Sequence, residues 1–308
     1  MSALAAAAQD YLAIRRSLGY CLEYHGTALP AFVAYLEDAG IAHVTTEASV
    51  SWATLPTGVH PAWWRSRLGV IRDFARYLQT IDPATQVPPA DLLWAHRDRL
   101  TPHFYSEAEL ASLLASARQL RPPWRALTYE TLVGLLAVTG LRLGEALGLD
   151  RDDVDLDAGL LVVARAKASG CREVALHPST CDVLRRYCAA RDQRWPIPAT
   201  FGFFVSARGA RLAQSTVHTN FQILVDRASL WGPEERRRPR PHDLRHSFAV
   251  TTLLGWYRQG IDVDASLPLL STFLGHSGPA ATYWYLEAVP ELLGVVAQRL
   301  EAVLGAGE

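Results

Sequence analysis

The 308-residue sequence predicts a mainly α-helical protein with one small β-hairpin, divided into a small all-helical N-terminal domain and a larger mixed α+β domain. Three observations carry this expectation. Hydrophobic residues make up 49% of the chain, enough at this length for more than one packed core. Apolar positions recur at helical spacing over most of the chain, and a proline-containing stretch without periodicity interrupts them once. At a single place, residues 159–176, the pattern changes to two short apolar runs around a polar turn holding Gly170.

In the first part, helices are expected over residues 11–20, 26–38 and 61–79. In the last of these Trp64, Leu68, Ile71, Phe74, Ala75 and Leu78 fall near the 3.6-residue period and form one inward stripe. Arg65, Arg67, Arg72 and Arg76 recur on the same segment at spacings that share a face, a candidate basic surface. Pro83, Pro88, Pro89, Arg97, Arg99 and Pro102 break the pattern and read as a linker over about residues 80–104, so the domains are placed at 1–99 and 105–308.

The second part opens on Ser106-Glu-Ala-Glu109, a capping box ahead of Leu110, Leu113 and Leu114. Helices are expected over residues 124–139, closed by Gly140, and over 144–149. The hairpin pairs residues 160–163 with 172–176. Helices then follow over residues 181–194, 214–230, 242–257, 267–274 and 290–304.

Composition narrows the function. A formal net charge of −1 argues mildly against nucleic acid, although Arg236, Arg237, Arg238 and Arg240 form a local basic run. Cys21, Cys171, Cys181 and Cys188 lack disulfide or metal spacing and read as buried free thiols. The chain holds no apolar run of about 18 residues, and its Ala-rich start lacks the pattern of a signal peptide, so the expected setting is cytoplasmic. Lys167 is the only lysine among 30 basic side chains. An ammonium gives up a proton where a guanidinium does not, which suits Lys167 to a general acid.

Three segments of the second part carry candidate chemistry. In Thr139-Gly-Leu-Arg-Leu-Gly-Glu-Ala-Leu147, Gly140 ends a helix and Arg142 stands where the next begins, a place suited to an anion. In Pro241-His-Asp-Leu-Arg-His-Ser247, His242 and Arg245 share a face at a helix N-terminus. The third is Leu274-Gly-His-Ser277 followed by Tyr283-Trp-Tyr285. Each has a plainer reading by itself: an Arg142–Glu145 ion pair, a His242/His246 metal pair lacking any acidic HExxH frame, and core aromatics.

Together, the order Arg142, Lys167 in a hairpin, His242-Asp-Leu-Arg245, Leu274-Gly-His276 and Tyr285 nine residues later resembles the tyrosine recombinase or phage-integrase family, through essentially all of the second domain. The resemblance implies a helical core-binding domain followed by an integrase-type catalytic domain that cleaves and rejoins DNA through a 3′-phosphotyrosine. It implies Tyr285 as nucleophile, with Tyr283 two residues away as the competing choice. Arg142 and Arg245 would grip the phosphate, His242 and His276 would assist, and Lys167 would protonate the leaving 5′-oxygen. No cofactor and no metal are implied. The expected partners are double-stranded recombination sites, further copies of the chain in a tetramer with exchanged C-terminal helices (residues 291–304), and accessory recombination proteins. The competing activities are a non-cutting DNA-binding relative, a metal-dependent nuclease using His242, His246 and His276, and a type IB topoisomerase.

Overall fold

A computed structural model of the chain describes residues 2–20, 22–94, 102–164, 171–197, 199–232, 237–276 and Thr282. They fall into two compact units that divide between residues 99 and 100.

The first unit is built from α1 (Ala3–Ser17), α2 (Glu23–Asp38), α3 (Thr46–Thr54) and α4 (Pro61–Leu78). Their starts follow local chemistry. Ser2 and Thr45 accept the backbone N–H groups of Ala5 and Ala48, and Pro61 enters α4 where its missing N–H costs no helical hydrogen bond. The stripe anticipated on α4 is buried through Leu68, Ile71, Phe74 and Leu78, packed with Phe32 and Trp52 of the neighbouring helices. Helix α3 has nine residues, too few for periodicity to announce it, and Trp52 anchors it in the core.

Two expectations for this unit are corrected. Part of the presumed linker belongs to the packed unit: Thr85 is buried, Gln86 hydrogen-bonds the backbone of Val44 and Thr46, and Val87 and Leu93 pack on the core. The arginines of α4 do not form one free basic face. Arg67 donates to the carbonyls of Trp52 and Ala53 at 2.8 and 3.1 Å and lies 3.6 Å over the Trp52 ring, covering the C-terminal end of α3. Arg72 donates to the carbonyls of Pro88 and Pro89, both at 2.8 Å, and Arg76 pairs with Asp73.

The second unit runs through α5 (Glu107–Arg118), α6 (Pro123–Thr139), α7 (Leu143–Gly148), a short 3-10 turn (Arg151–Asp153), β1 (Val154–Asp155), β2 (Leu160–Ala164), β3 (Cys171–Ala175), α8 (Pro178–Arg194), α9 (Gln214–Arg227), α10 (Pro241–Gln259) and α11 (Val263–Leu274). The Ser106–Glu109 capping box forms as the sequence indicates. Helices α6 and α11 both end on left-handed glycines, Gly140 at φ 60° and Gly275 at φ 68°. The anticipated hairpin is present and gains a third, two-residue strand, giving an antiparallel β1-β2-β3 sheet. In its register Leu161 faces Val154 on one side and Val174 on the other, and Val163 faces Arg172, so the inward face of the sheet carries four apolar residues and one arginine. Cys181 and Cys188 are buried, whereas Cys171 is exposed at the start of β3, where the strand's alternation turns it outward; Cys21 lies outside the described residues. Among the described residues no helix is long and apolar enough to cross a membrane.

Candidate active site

The site is organised by one turn. Residues 274–276 end α11 and lead out of it, and the two arginines singled out in the sequence both reach them. Arg245 is 2% exposed; its Nη2 donates to the Leu274 carbonyl at 2.7 Å and its Nη1 to the Gly140 carbonyl at 2.8 Å. Arg142 donates from Nη2 to the Gly275 carbonyl at 3.1 Å. Those carbonyls sit at the C-terminal ends of α6 and α11, where the helix dipoles favour cations. His276 is the next residue, and its Nδ1 lies 2.8 Å from the hydroxyl of the buried Thr282. When that hydroxyl donates, the neutral ring keeps its proton on Nε2 and becomes a donor suited to an anion.

His242 and Arg245 lie on the first two turns of α10. Asp243 closes the helix start: its buried carboxylate accepts the Arg240 N–H at 2.8 Å and Arg237 Nη2 at 2.6 Å. Part of the basic run at residues 237–240 is therefore committed to this cap, and Arg238 pairs with Asp226. The His242 and His246 rings meet edge-to-face at 4.7 Å.

The local electrostatics follow from this crowding. His276 is lowered to about 4, first by burial and then by Arg245, Arg142, His242 and Arg172. His246 is lowered to about 3 by burial, His242 and Arg245. His242 is also lowered, by burial and Arg245, against a smaller upward pull from Asp243. His276 and His246 are therefore neutral at pH 7, and the lowered pKa of His242 favours its neutral ring too. Because each histidine binds a proton less readily folded than unfolded, their contribution to stability is complete above about pH 6.5 and is lost as the pH falls through the folded values. Denaturant titrations between pH 7 and pH 4 are expected to show stability decreasing over that window, and replacing His246 by Gln is expected to flatten the decline.

Sequence reasoning did not single out Arg172. It sits on β3, 5% exposed, and donates Nη1 and Nη2 to the two Glu145 oxygens at 3.0 and 2.8 Å. Glu145 also accepts Arg142 Nη1 at 2.8 Å and the Arg142 N–H at 2.9 Å. Burial raises the Glu145 pKa, but the hydrogen bonds from Arg172 and Arg142 outweigh it and hold the carboxyl below its ordinary value. The Arg142–Glu145 pair suggested by the sequence exists, but as part of a three-residue network. A Glu145→Ala protein, with the Arg172 charge buried and uncompensated, is expected to lose about 3–5 kcal/mol in denaturant unfolding. The signal that points to Arg172 is its inward position: the period of two that buries Val174 places Arg172 on the same face.

Gly275 makes that arrangement possible. A Cβ there would stand 2.7 Å from Arg172 Nη1 and 2.8 Å from its Cζ, on a backbone already at φ +68°. Gly275→Ala is expected to disturb the Arg142 contact and to cost about 1–3 kcal/mol from the backbone alone, measurable by denaturant unfolding.

Of the six residues nominated from the sequence, the structure brings together Arg142, His242, Arg245 and His276; Lys167 and Tyr285 lie outside the described residues, as do Tyr283 and the segment 291–304.

Comparison with known proteins accords with this arrangement. Residues 104–291 match the model of the phage integrase family. The Sinorhizobium fredii protein y4rB, named as an integrase/recombinase, is 41% identical over 307 residues, covering 98% of each chain. The tyrosine recombinase XerC of Chlorobaculum parvum is 29% identical over 257 residues, covering 75% of this chain and 70% of its own. Among solved structures, the XerH site-specific recombinase bound to a palindromic difH substrate aligns with TM-score 0.64 at 19% identity, over 91% of this chain and 78% of that one. A lambda integrase dimer bound to a COC′ core site aligns with TM-score 0.60 at 20% identity, over 90% and 96% of the two chains. At such identities the structural likeness speaks for the fold. The family match and the 41% identity along nearly the whole chain establish the rest: this chain belongs to the phage integrase family of tyrosine recombinases, enzymes that cleave and rejoin DNA strands in site-specific recombination.

Proposed function

We propose that this chain cuts and rejoins its DNA site through a covalent bond from Tyr285 to the 3′-phosphate, with Arg142, His242, Arg245 and His276 surrounding the scissile phosphate. The observation that supports this reading is the convergence of both guanidiniums and one imidazole on residues 274–276. As the phosphorus becomes pentacoordinate, negative charge grows on its non-bridging oxygens, and preorganised guanidinium donors stabilise it without rearrangement. Neutral His276 donates a hydrogen bond to the same oxygens, and His242 takes the phenol proton as Tyr285 attacks. Lys167 protonates the departing 5′-oxygen. The phosphotyrosine keeps the phosphodiester energy, so rejoining to a partner strand's 5′-hydroxyl needs no nucleotide cofactor.

In this reading the N-terminal unit grips the duplex as a core-binding domain, and residues 105–308 form the catalytic domain. Four copies act on two sites, their C-terminal helices passing between subunits, in the cytoplasm and with accessory proteins where the element requires them. The event served is integration, excision or transposition of a DNA element. Most DNA contacts then go to phosphates, and binding weakens steeply with salt.

The test is capture of the covalent intermediate on a nicked suicide duplex carrying DNA that flanks the gene. The expected product is a denaturant-resistant protein–DNA adduct, formed equally in chelator, whose nucleopeptide maps to residues 283–285. Absence of an adduct, with cleavage that requires metal, replaces this mechanism with a hydrolytic one.

A further inference from the structure

Arg172 occupies a place where a strand normally buries an apolar side chain, opposite Val163 and beside the core residues Leu161 and Val174. A guanidinium is tolerated there only if its donors are satisfied. Nη1 and Nη2 engage both oxygens of Glu145, and Nε donates to the Phe273 carbonyl at 3.0 Å. Through these bonds β3 is tied at once to the start of α7, which carries Arg142, and to the end of α11, which leads into Gly275 and His276. The missing Cβ of Gly275 gives the guanidinium its space.

The sharing of Glu145 has a chemical consequence. With Arg172 holding both carboxylate oxygens, the Arg142 side chain is bound to Glu145 through Nη1 and Oε1 and remains 42% exposed, against 5% for Arg172. Remove Arg172, and Glu145 is free to clasp Arg142 as a two-pronged pair, the geometry these groups favour, drawing its donors away from an incoming phosphate.

We infer that Arg172 is a positioning residue for strand cleavage: through Glu145 it holds the Arg142 guanidinium turned outward, and through the Phe273 carbonyl it sets the turn that carries His276. It touches no DNA. The inference rests on the reading of Arg142 as a phosphate ligand, and the experiment separates the two.

Single-turnover cleavage of the nicked suicide duplex is measured for the wild type, Arg172→Lys, Arg172→Gln, Arg142→Ala and the Arg142→Ala/Arg172→Gln double variant, with DNA affinity and thermal unfolding in parallel. Both Arg172 variants are expected to fold, to bind DNA within about 3-fold of wild type, and to cleave about 10–100-fold more slowly, by analogy with residues that orient the ligands of a metal site. In the double variant the Arg172 change is expected to slow cleavage by no more than about 3-fold beyond Arg142→Ala, because its effect passes through the side chain already removed. On a duplex with a methylphosphonate at the scissile position, which lacks the charge Arg142 neutralises, the gap between wild type and Arg172→Gln is expected to narrow. Wild-type rates in both Arg172 variants, full additivity in the double variant, an unchanged gap on the methylphosphonate, or unfolding of both variants overturns the inference. If Arg142→Ala itself cleaves normally, the phosphate clamp fails and this inference with it. A slow Arg142→Ala beside a normal Arg172→Gln leaves the clamp standing and removes only Arg172.

Discussion

Replacing Tyr285 by Phe is expected to abolish the covalent protein–DNA adduct while leaving binding to the same duplex within a few-fold of wild type. The change removes one oxygen and keeps the ring, so packing and DNA contacts are preserved and the nucleophile alone is lost. No neighbouring group substitutes for it easily: a phenol is mostly protonated at neutral pH, with a pKa near 10, and attacks only where a base and an aligned phosphate are provided. Tyr283→Phe is the control, expected to retain the adduct. Because Tyr285 was chosen by its interval from His276, the reverse result, an adduct lost in Tyr283→Phe and kept in Tyr285→Phe, would move the nucleophile by two residues and leave the rest of the mechanism in place. Adduct formation in both variants would show that neither Tyr285 nor Tyr283 is by itself the required nucleophile.

Arg245→Ala is expected to lower the single-turnover cleavage rate by about 10²–10³, the usual effect of deleting one preorganised donor from a transition-state site. Its structural part is measurable separately. Arg245 bridges the Gly140 and Leu274 carbonyls from a nearly inaccessible position, so the alanine variant leaves two acceptors unpaired, at about 1–3 kcal/mol each. Arg245→Lys retains a charge but lacks the planar fork that spans two carbonyls and an anion together. It is expected to recover part of the stability and little of the rate. Equal recovery of both would mean that Arg245 matters as a brace between helix ends and not as a phosphate ligand.

Helix α4 shows how far local pattern carries. Its apolar stripe, its proline start and its end near residue 78 are all visible in the chain, because amphipathic spacing and capping act over a few residues. Helix α3 was not visible, since nine residues with one buried tryptophan offer little periodicity. The proline stretch misled for a related reason: prolines mark where helices stop, but they do not say whether the following chain packs, and residues 85–93 are held by Arg72 and by core contacts made elsewhere in the sequence. Arg67 and Arg72 looked like a surface because spacing reports a face and not what lies against it.

Four of the proposed site residues were legible because each stands beside a local landmark: Arg142 after the helix-ending Gly140, His242 and Arg245 at a capped helix start, and His276 after the helix-ending Gly275. Arg172 was not, because its partner Glu145 lies 27 residues away and its remaining bond goes to a carbonyl 101 residues away. By itself the sequence determined the longer helices of the described residues, the hairpin and the order of the chemical groups, all properties set by neighbours in the chain. Only the tertiary structure decided that one turn serves two guanidiniums and an imidazole, and that a buried arginine shares the carboxylate between them. Those outcomes depend on which distant carbonyls and charges burial forces into contact, and no local pattern encodes that pairing.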